Sequence, residues 1–300
     1  MRLSTCTQSS SISDMEPISD KQNIPGERIQ RNLAKVRARM AEAAASASRP
    51  VEPIRLVAVT KTVGLAEIQK LLELGVSDLG ESRVQDAERK IRAYAAPGPE
   101  GDRHPIPTGV GIGVSTPPPS GVSPQPRWHL IGHLQTNKAD KAAKLFHTVH
   151  AVDSLRVAQA LNKERLGCRG TDSQSPNCRK LVSVPLLPPL PCLLEVNVSG
   201  EAQKFGLRPD VSAVGEILRS CAELPGLQIL GLMCMAPYSE HPEATSRPVF
   251  RRLRELLAEA NTKGFCPSPL AELSMGMTQD YAIAIEEGAT MVRVGTALFE

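Results

Sequence analysis

Arg55-Leu56-Val57-Ala58-Val59-Thr60-Lys61 is the stretch on which the fold turns. Side chains alternate across a strand, so Leu56 and Ala58 share one face and Val57 and Val59 the other. Both faces are apolar. A strand with one wet face would alternate apolar and polar residues, whereas a strand covered on both sides does not. The run therefore reads as a buried parallel strand. A helical segment follows over 66–74, and Gly75 closes it in the C′ position. A dinucleotide-binding sheet would place G-x-G-x-x-G directly after such a strand, and none is present.

Working outward, the same unit recurs. Ile29, Leu33, Val36 and Met40 make one apolar stripe on a helix over about 27–45. Further strands are expected at 76–80, 128–132, 148–152, 193–198, 227–234, 272–276 and 291–296. Helices are expected over 82–94, 137–146, 154–165 with Ser154 as N-cap, 212–224, 248–263, and 278–287 closed by Gly288. Eight strands with one helix per crossover predict a single TIM (β/α)8 barrel. A doubly wound open sheet is the alternative.

Three segments fall outside this pattern. Residues 1–26 are Ser-rich, lack an apolar signal core and carry Asp14, Glu16 and Asp20, so they read as a disordered leader. Two Pro-rich stretches, about 96–126 and 167–191, read as surface insertions. The barrel is thus expected to occupy 27–300. Charge is nearly balanced at +3 with no basic block, which argues against nucleic acid as a partner. No apolar run is long enough to span a membrane. Seven cysteines without a C-x-x-C pair suggest reduced thiols and no metal site; Cys168, Cys178 and Cys192 fall in one irregular stretch. A cytoplasmic location is expected, with an organelle left open by the leader.

The chemistry concentrates at strand ends. Lys61 ends the first strand at a rim, where its ammonium group is expected to be desolvated or engaged. A lysine in such a place suits phosphate binding or Schiff-base formation with an aldehyde. TIM barrels hold phosphate after strands 7 and 8. Here those strands end Leu273-Ser274-Met275-Gly276-Met277 and Val292-Arg293-Val294-Gly295-Thr296. Glycines allow close backbone approach, N–H groups at a helix start favour an anion, and Ser274 and Thr296 add hydroxyls. The alternative is a pair of tight turns. Arg293 shares a strand face with Gly295 and suits a phosphate clamp, a ring-nitrogen contact or a rim ion pair. His129 and His133 are expected to be packed or hydrogen-bonded, not general bases.

Several ordered motifs carry a family resemblance. They are Ala58-Val59-Thr60-Lys61, Gly80-Glu81-x-x-Val84-Gln85, Trp128-His129-x-Ile131-Gly132-x-Leu134-Gln135-x-Asn137-Lys138, Val196-Asn197-Val198-Ser199-x-Glu201-x-x-Lys204-x-Gly206, Gly231-Leu232-Met233, Leu273–Met277 and Met291–Phe299. Over about 27–299 the chain resembles the pyridoxal phosphate homeostasis proteins, which share the barrel of the alanine racemase N-terminal domain. The resemblance implies that Lys61 holds pyridoxal 5′-phosphate as a Schiff base. It implies that Ser274, Gly276, Gly295 and Thr296 take the phosphate and that Arg293 faces the pyridine nitrogen. It implies intracellular homeostasis of the cofactor without catalytic turnover, with pyridoxal-phosphate-dependent apoenzymes as recipients. A single barrel without the racemase second domain is expected to be a monomer. Asn197, Ser199, Glu201 and Lys204 look like a surface near the mouth and are expected to cap a loop. The chain departs from the family at Ser82, where asparagine is usual, and at Asp86, where glutamate is usual.

Two other functions remain open. An amino-acid racemase needs an acid/base on each face of the bound substrate. Lys61 suits one face, but Tyr94, Tyr238 and Tyr281 sit in no context matching the opposing tyrosine of alanine racemases, which a partner's second domain supplies. A sugar-phosphate enzyme needs carboxylates at strand ends, where Glu81 and Asp153 are the candidates.

Overall fold

The computed structural model describes residues 25–95, 124–167, 187–201 and 203–300. The predicted leader, apart from Pro25 and Gly26, and most of both predicted insertions lie outside these residues. Eight strands form one closed parallel barrel in sequence order. They are β1 (Arg55–Val59), β2 (Asp78–Glu81), β3 (Arg127–Leu130), β4 (Thr148–Val152), β5 (Leu190–Glu195), β6 (Leu227–Met233), β7 (Glu272–Ser274) and β8 (Met291–Val294). The barrel closes where β1 pairs with β8, from Arg55↔Met291 to Ala58↔Val294. The open-sheet alternative is therefore excluded.

The outer helices are α1 (Pro25–Ser46), α2 (Leu65–Glu73), α3 (Val84–Ala95), α4 (Ala139–Leu145), α5 (Leu155–Arg165), α6 (Val211–Ala222), α7 (Pro242–Thr262), α8 (Tyr281–Glu286) and α9 (Thr296–Phe299). Gly75 and Gly288 follow α2 and α8 with φ of +78° and +104°, the left-handed C′ conformation. Ser154 accepts the Val157 N–H as the N-cap of α5. The apolar stripe of α1 is buried, with Ile29, Leu33 and Val36 each at most 2% exposed. It packs against α8, α9 and α2. So α1 fills the gap in the outer ring that the four-residue α9 leaves.

Some boundaries move. β5 begins at Leu190, so Leu190, Pro191 and Cys192 belong to the barrel and not to the insertion. Proline donates no hydrogen bond, which made Pro191 read as loop, yet Leu190 N–H bonds Gly226 O at 2.8 Å and carries the ladder past it. α7 starts at Pro242, and Pro248 lies inside it. A proline is at home in a first turn, and Pro242, not Pro248, fills that place. α8 begins at Tyr281, three residues later than expected, because Met277–Asp280 forms a turn of its own.

The barrel has two packing regions. Most buried apolar residues lie in one cluster that includes the helices. Ala151, Leu193, Met233 and Met291 form a second, separate cluster. These four come from β4, β5, β6 and β8 and fill the lumen as an apolar plug. In the next layer toward the strand C-termini, Arg293 of β8 pairs with Val57 of β1.

Candidate cofactor site at the barrel mouth

The site is built on the seam between β1 and β8. Ala58 pairs with Val294, so the next residues, Val59 and Gly295, lie side by side. A Cβ on Gly295 would stand 3.3 Å from the Val59 Cβ. Lys61 lies two residues beyond Val59, over this seam. It is exposed, and no hydrogen bond or ion pair ties it to a described residue. The expectation of a desolvated or engaged ammonium group is thus corrected. The strand ends at Val59, Thr60 is buried, and the turn at Lys61 releases its side chain to solvent.

Gly276 and Gly295 lie close to each other at the ends of β7 and β8, and Thr296 follows Gly295 at the start of α9. Gly276 has φ +88°, and a Cβ there would stand 2.5 Å from that of Ala284. Its carbonyl accepts the Arg293 N–H at 3.0 Å. Asp280, itself buried, shapes the loop: its Oδ1 accepts the Met277 N–H at 2.7 Å and its Oδ2 accepts Ser246 Oγ–H at 2.8 Å. Gly295 N–H donates to Thr278 Oγ1 at 3.3 Å. Thr278, expected as a helix start, thus ties the end of β7 to the end of β8.

Ser274 and Arg293 turn inward. Both are buried, at 0% and 2% exposure. Arg293 Nη1 donates to Ser274 Oγ at 2.6 Å and Nη2 to Cys234 O at 2.8 Å. The guanidinium is therefore fixed inside the lumen by a side chain of β7 and a carbonyl beyond β6. Ser274 in turn meets His150 Nδ1 at 2.8 Å, across the lumen from β7 to β4. His150 Nε2 meets His129 Nδ1 at 2.9 Å, and His129 Nε2 meets Asp78 Oδ1 at 2.8 Å. Burial pushes His150 well below its usual pKa, aided by the Arg293 charge, so it is neutral. One direction of donation then satisfies every bond. Arg293 donates to Ser274, Ser274 to His150, His150 to His129, and His129 to Asp78. Burial alone would raise Asp78, but hydrogen bonding to His129 and the charge of Arg127 bring it down to about 2. His129 is hydrogen-bonded, as expected. No sequence spacing signals this chain, because its members lie on five strands.

Asp78 and Arg127 open β2 and β3, so this chain of bonds runs down to the N-terminal end of the barrel. Glu81, fully buried, pairs with Lys90 of α3 at 2.7 Å and accepts Thr60 Oγ1–H at 2.7 Å. Asp153 pairs with His133 at 3.0 Å, and His133 stacks on Phe205 with centroids 3.6 Å apart. Both carboxylates are thus engaged by a neighbouring cation or imidazole, Glu81 through Oε1 alone. Asn197 Nδ2 donates to Glu201 O at 2.8 Å and Lys204 O at 3.2 Å, and Ser199 Oγ donates to Asn197 Oδ1. These residues cap the β5–α6 loop, as expected. Tyr94 and Tyr281 are buried on outer helices, and Tyr238 is 86% exposed. Cys192, Cys221, Cys234 and Cys266 are free thiols, and no metal-binding group occurs among the described residues. No helix among them is long and apolar enough to cross a membrane.

An unengaged lysine, a glycine cup on the adjacent strand and a fixed cation in the lumen are a donor set that suits an aldehyde bearing a phosphate. The small residues support the fit, since a Cβ on Gly276 or Gly295 would fill the cradle. Barrel and site together place the chain in a class of proteins. The family model described as alanine racemase, N-terminal domain, matches residues 27–300. Within that class the chain belongs to the pyridoxal phosphate homeostasis proteins. It is 36% identical to the pyridoxal phosphate homeostasis protein of Pseudomonas aeruginosa over 272 residues, covering 90% of this chain and 94% of that one. It is 33% identical to the Escherichia coli K12 protein of the same name, covering 90% and 95%. Among solved structures it is similar to PipY of Synechococcus elongatus with PLP bound, at TM-score 0.61 and 28% identity, covering 87% of this chain and 100% of that one. The alanine racemase of Clostridium difficile matches at TM-score 0.57 and 14% identity, covering 91% of this chain and 56% of that one, a likeness of fold alone.

Proposed function

We propose that this protein is a reversible carrier of pyridoxal 5′-phosphate, held as a Schiff base on Lys61 within intracellular homeostasis of the cofactor and without catalytic turnover. The observation that carries it is the β1–β8 register, which sets an unengaged lysine over the glycine cup. Gly276, Gly295 and Thr296, joined by Thr278, line the phosphate end, and Ser274 holds Arg293 beneath it. The free amine of Lys61 bonds the aldehyde carbon, and the carbonyl oxygen leaves as water. No electrons are transferred, so hydrolysis returns the cargo intact.

Arg293 supports custody over catalysis. A permanent cation facing the pyridine nitrogen disfavours its protonation, and an unprotonated ring is a weak electron sink. The buried outward positions of Tyr94 and Tyr281 speak against a racemase arrangement. The carrier acts as a cytoplasmic monomer, and pyridoxal-phosphate-dependent apoenzymes receive its cargo.

Borohydride reduction followed by peptide mass spectrometry tests the reading. A pyridoxyl adduct on Lys61, lost in Lys61→Ala together with the visible absorbance band, is expected. A wild-type protein that gives no adduct overturns it. Exchange of the α-proton of alanine in deuterated water above the rate of free cofactor would overturn the absence of turnover.

A further inference from the structure

Glu195 takes no part in the site as built so far. It ends β5, two residues beyond Leu193 of the apolar plug, so the strand period turns it into the lumen one layer nearer the mouth. Arg293 lies two residues beyond Met291 of the same plug and reaches the same layer from β8. Glu195 is 2% exposed, and its Oε2 has no hydrogen-bond partner. A buried carboxylate oxygen left unpaired is costly, so the position calls for a ligand atom or a proton.

The charged and titratable groups facing it are Asp153 from the end of β4, Arg293 from β8 and Cys234 after β6. Asp153 is taken by His133, and Arg293 spends Nη1 on Ser274 and Nη2 on Cys234 O. No ion pair joins Glu195 to Arg293 among the described residues. Burial first, and the Asp153 charge second, push Glu195 up to about 7, with Arg293 opposing.

We propose that Glu195 is a further ligand-binding residue: as the neutral acid it donates a hydrogen bond to an acceptor atom on the ring of the phosphorylated pyridine aldehyde held above Arg293. The proposal rests on the function proposed above. A carboxylate in that place would face an anionic ligand, and the nearby cation, Arg293, already spends its donors on Ser274 and Cys234, so the donor form is the binding form. Ligand seated over Glu195 removes its last access to water and favours the proton further. Affinity therefore falls as pH rises through neutrality. This makes Glu195 a grip that loosens with alkalinity, separate from the covalent hold of Lys61.

The test uses 4-deoxypyridoxine 5′-phosphate, which has the ring and phosphate but no aldehyde. Its affinity is measured by calorimetry at pH 6 and pH 8 for wild type, Glu195→Gln and Glu195→Leu. Comparing wild type with Glu195→Gln cancels the titration of the phosphate itself. Relative to Glu195→Gln, wild type should lose about tenfold in affinity between the two pH values, and Glu195→Leu should bind about tenfold more weakly at pH 6. The amide keeps size and a donor, so Glu195→Gln decides the matter even if Glu195→Leu folds poorly. Equal pH slopes in wild type and Glu195→Gln, or an affinity that rises with pH in wild type alone, overturn the proposal. If those results come from protein that still gives the borohydride adduct on Lys61, only the role of Glu195 fails. If wild type gives no adduct, the carrier reading fails with it.

Discussion

Gly276 shows how one residue can be both legible and understated in a sequence. Its place in a strand-end cup was readable because glycine is the residue that lets backbone approach a ligand. The φ of +88° and the 2.5 Å approach to Ala284 were not readable, since they depend on α8 packing behind the loop. Gly276→Ala is expected to cost on the order of 3 kcal/mol in urea denaturation, from backbone strain and overpacking together. Gly264, at φ +62° with open space around its Cβ position, isolates the strain, and Gly264→Ala should cost about 1 kcal/mol. Equal costs would mean that the contact with Ala284 relaxes freely. Lys61, Gly276, Arg293 and Gly295 could be found from sequence because each is an unusual type at a strand end. Thr278 and His150 could not, because their significance lies in partners that the barrel brings from other strands, and Glu195 could not, because its want of a partner shows only once the strand is buried.

Whole elements were easier to read than their ends. The strands are local apolar runs, and all eight were found, because a doubly covered strand needs no long-range information to be recognised. Starts failed where proline misled: Pro191 within β5 and Pro248 within α7. Caps give this scale its measurable consequence. Asp210 Oδ1 accepts the Ala213 N–H at 2.7 Å at the start of α6, whereas Ser154 accepts at 3.4 Å at the start of α5. Asp210→Ala should therefore lower stability by about 1 kcal/mol, and Ser154→Ala by distinctly less, by chemical denaturation. A larger loss at Ser154 would show that hydrogen-bond length does not rank these caps.

For the molecule as a whole, buried titratable groups make stability depend on pH in two opposing ways. Burial, with the nearby Arg127 charge, lowers His147 from 6.5 to about 4, and His150 is lowered as well. The unfolded chain takes up these protons near pH 6.5 and the folded chain resists them, so stability is lost as pH falls from 6.5 toward 4. The His147 share alone amounts to about 3 kcal/mol. Glu195 runs the other way. Its folded pKa is raised from 4.5 to about 7, so its contribution is intact below 4.5 and is lost as pH rises through 7. In ligand-free protein, Glu195→Gln should match wild type near pH 4 and exceed it at pH 8 by about 3 kcal/mol, read from urea midpoints. A difference that does not change with pH would refute this. Barrel closure was legible from the count of strands, but the role of α1 was not, since nothing in its stripe says which neighbour covers it. The meeting of β1 with β8 has a consequence for synthesis. β1 leaves the ribosome early, and its outer edge has no partner until Met291–Val294 follows it. At roughly 5–20 residues per second, the nascent chain carries that open edge for tens of seconds. The same seam that seats Lys61 over its cup is thus the last of the barrel to be sewn, and a newborn chain has no cup to offer before residues 291–296 have been made.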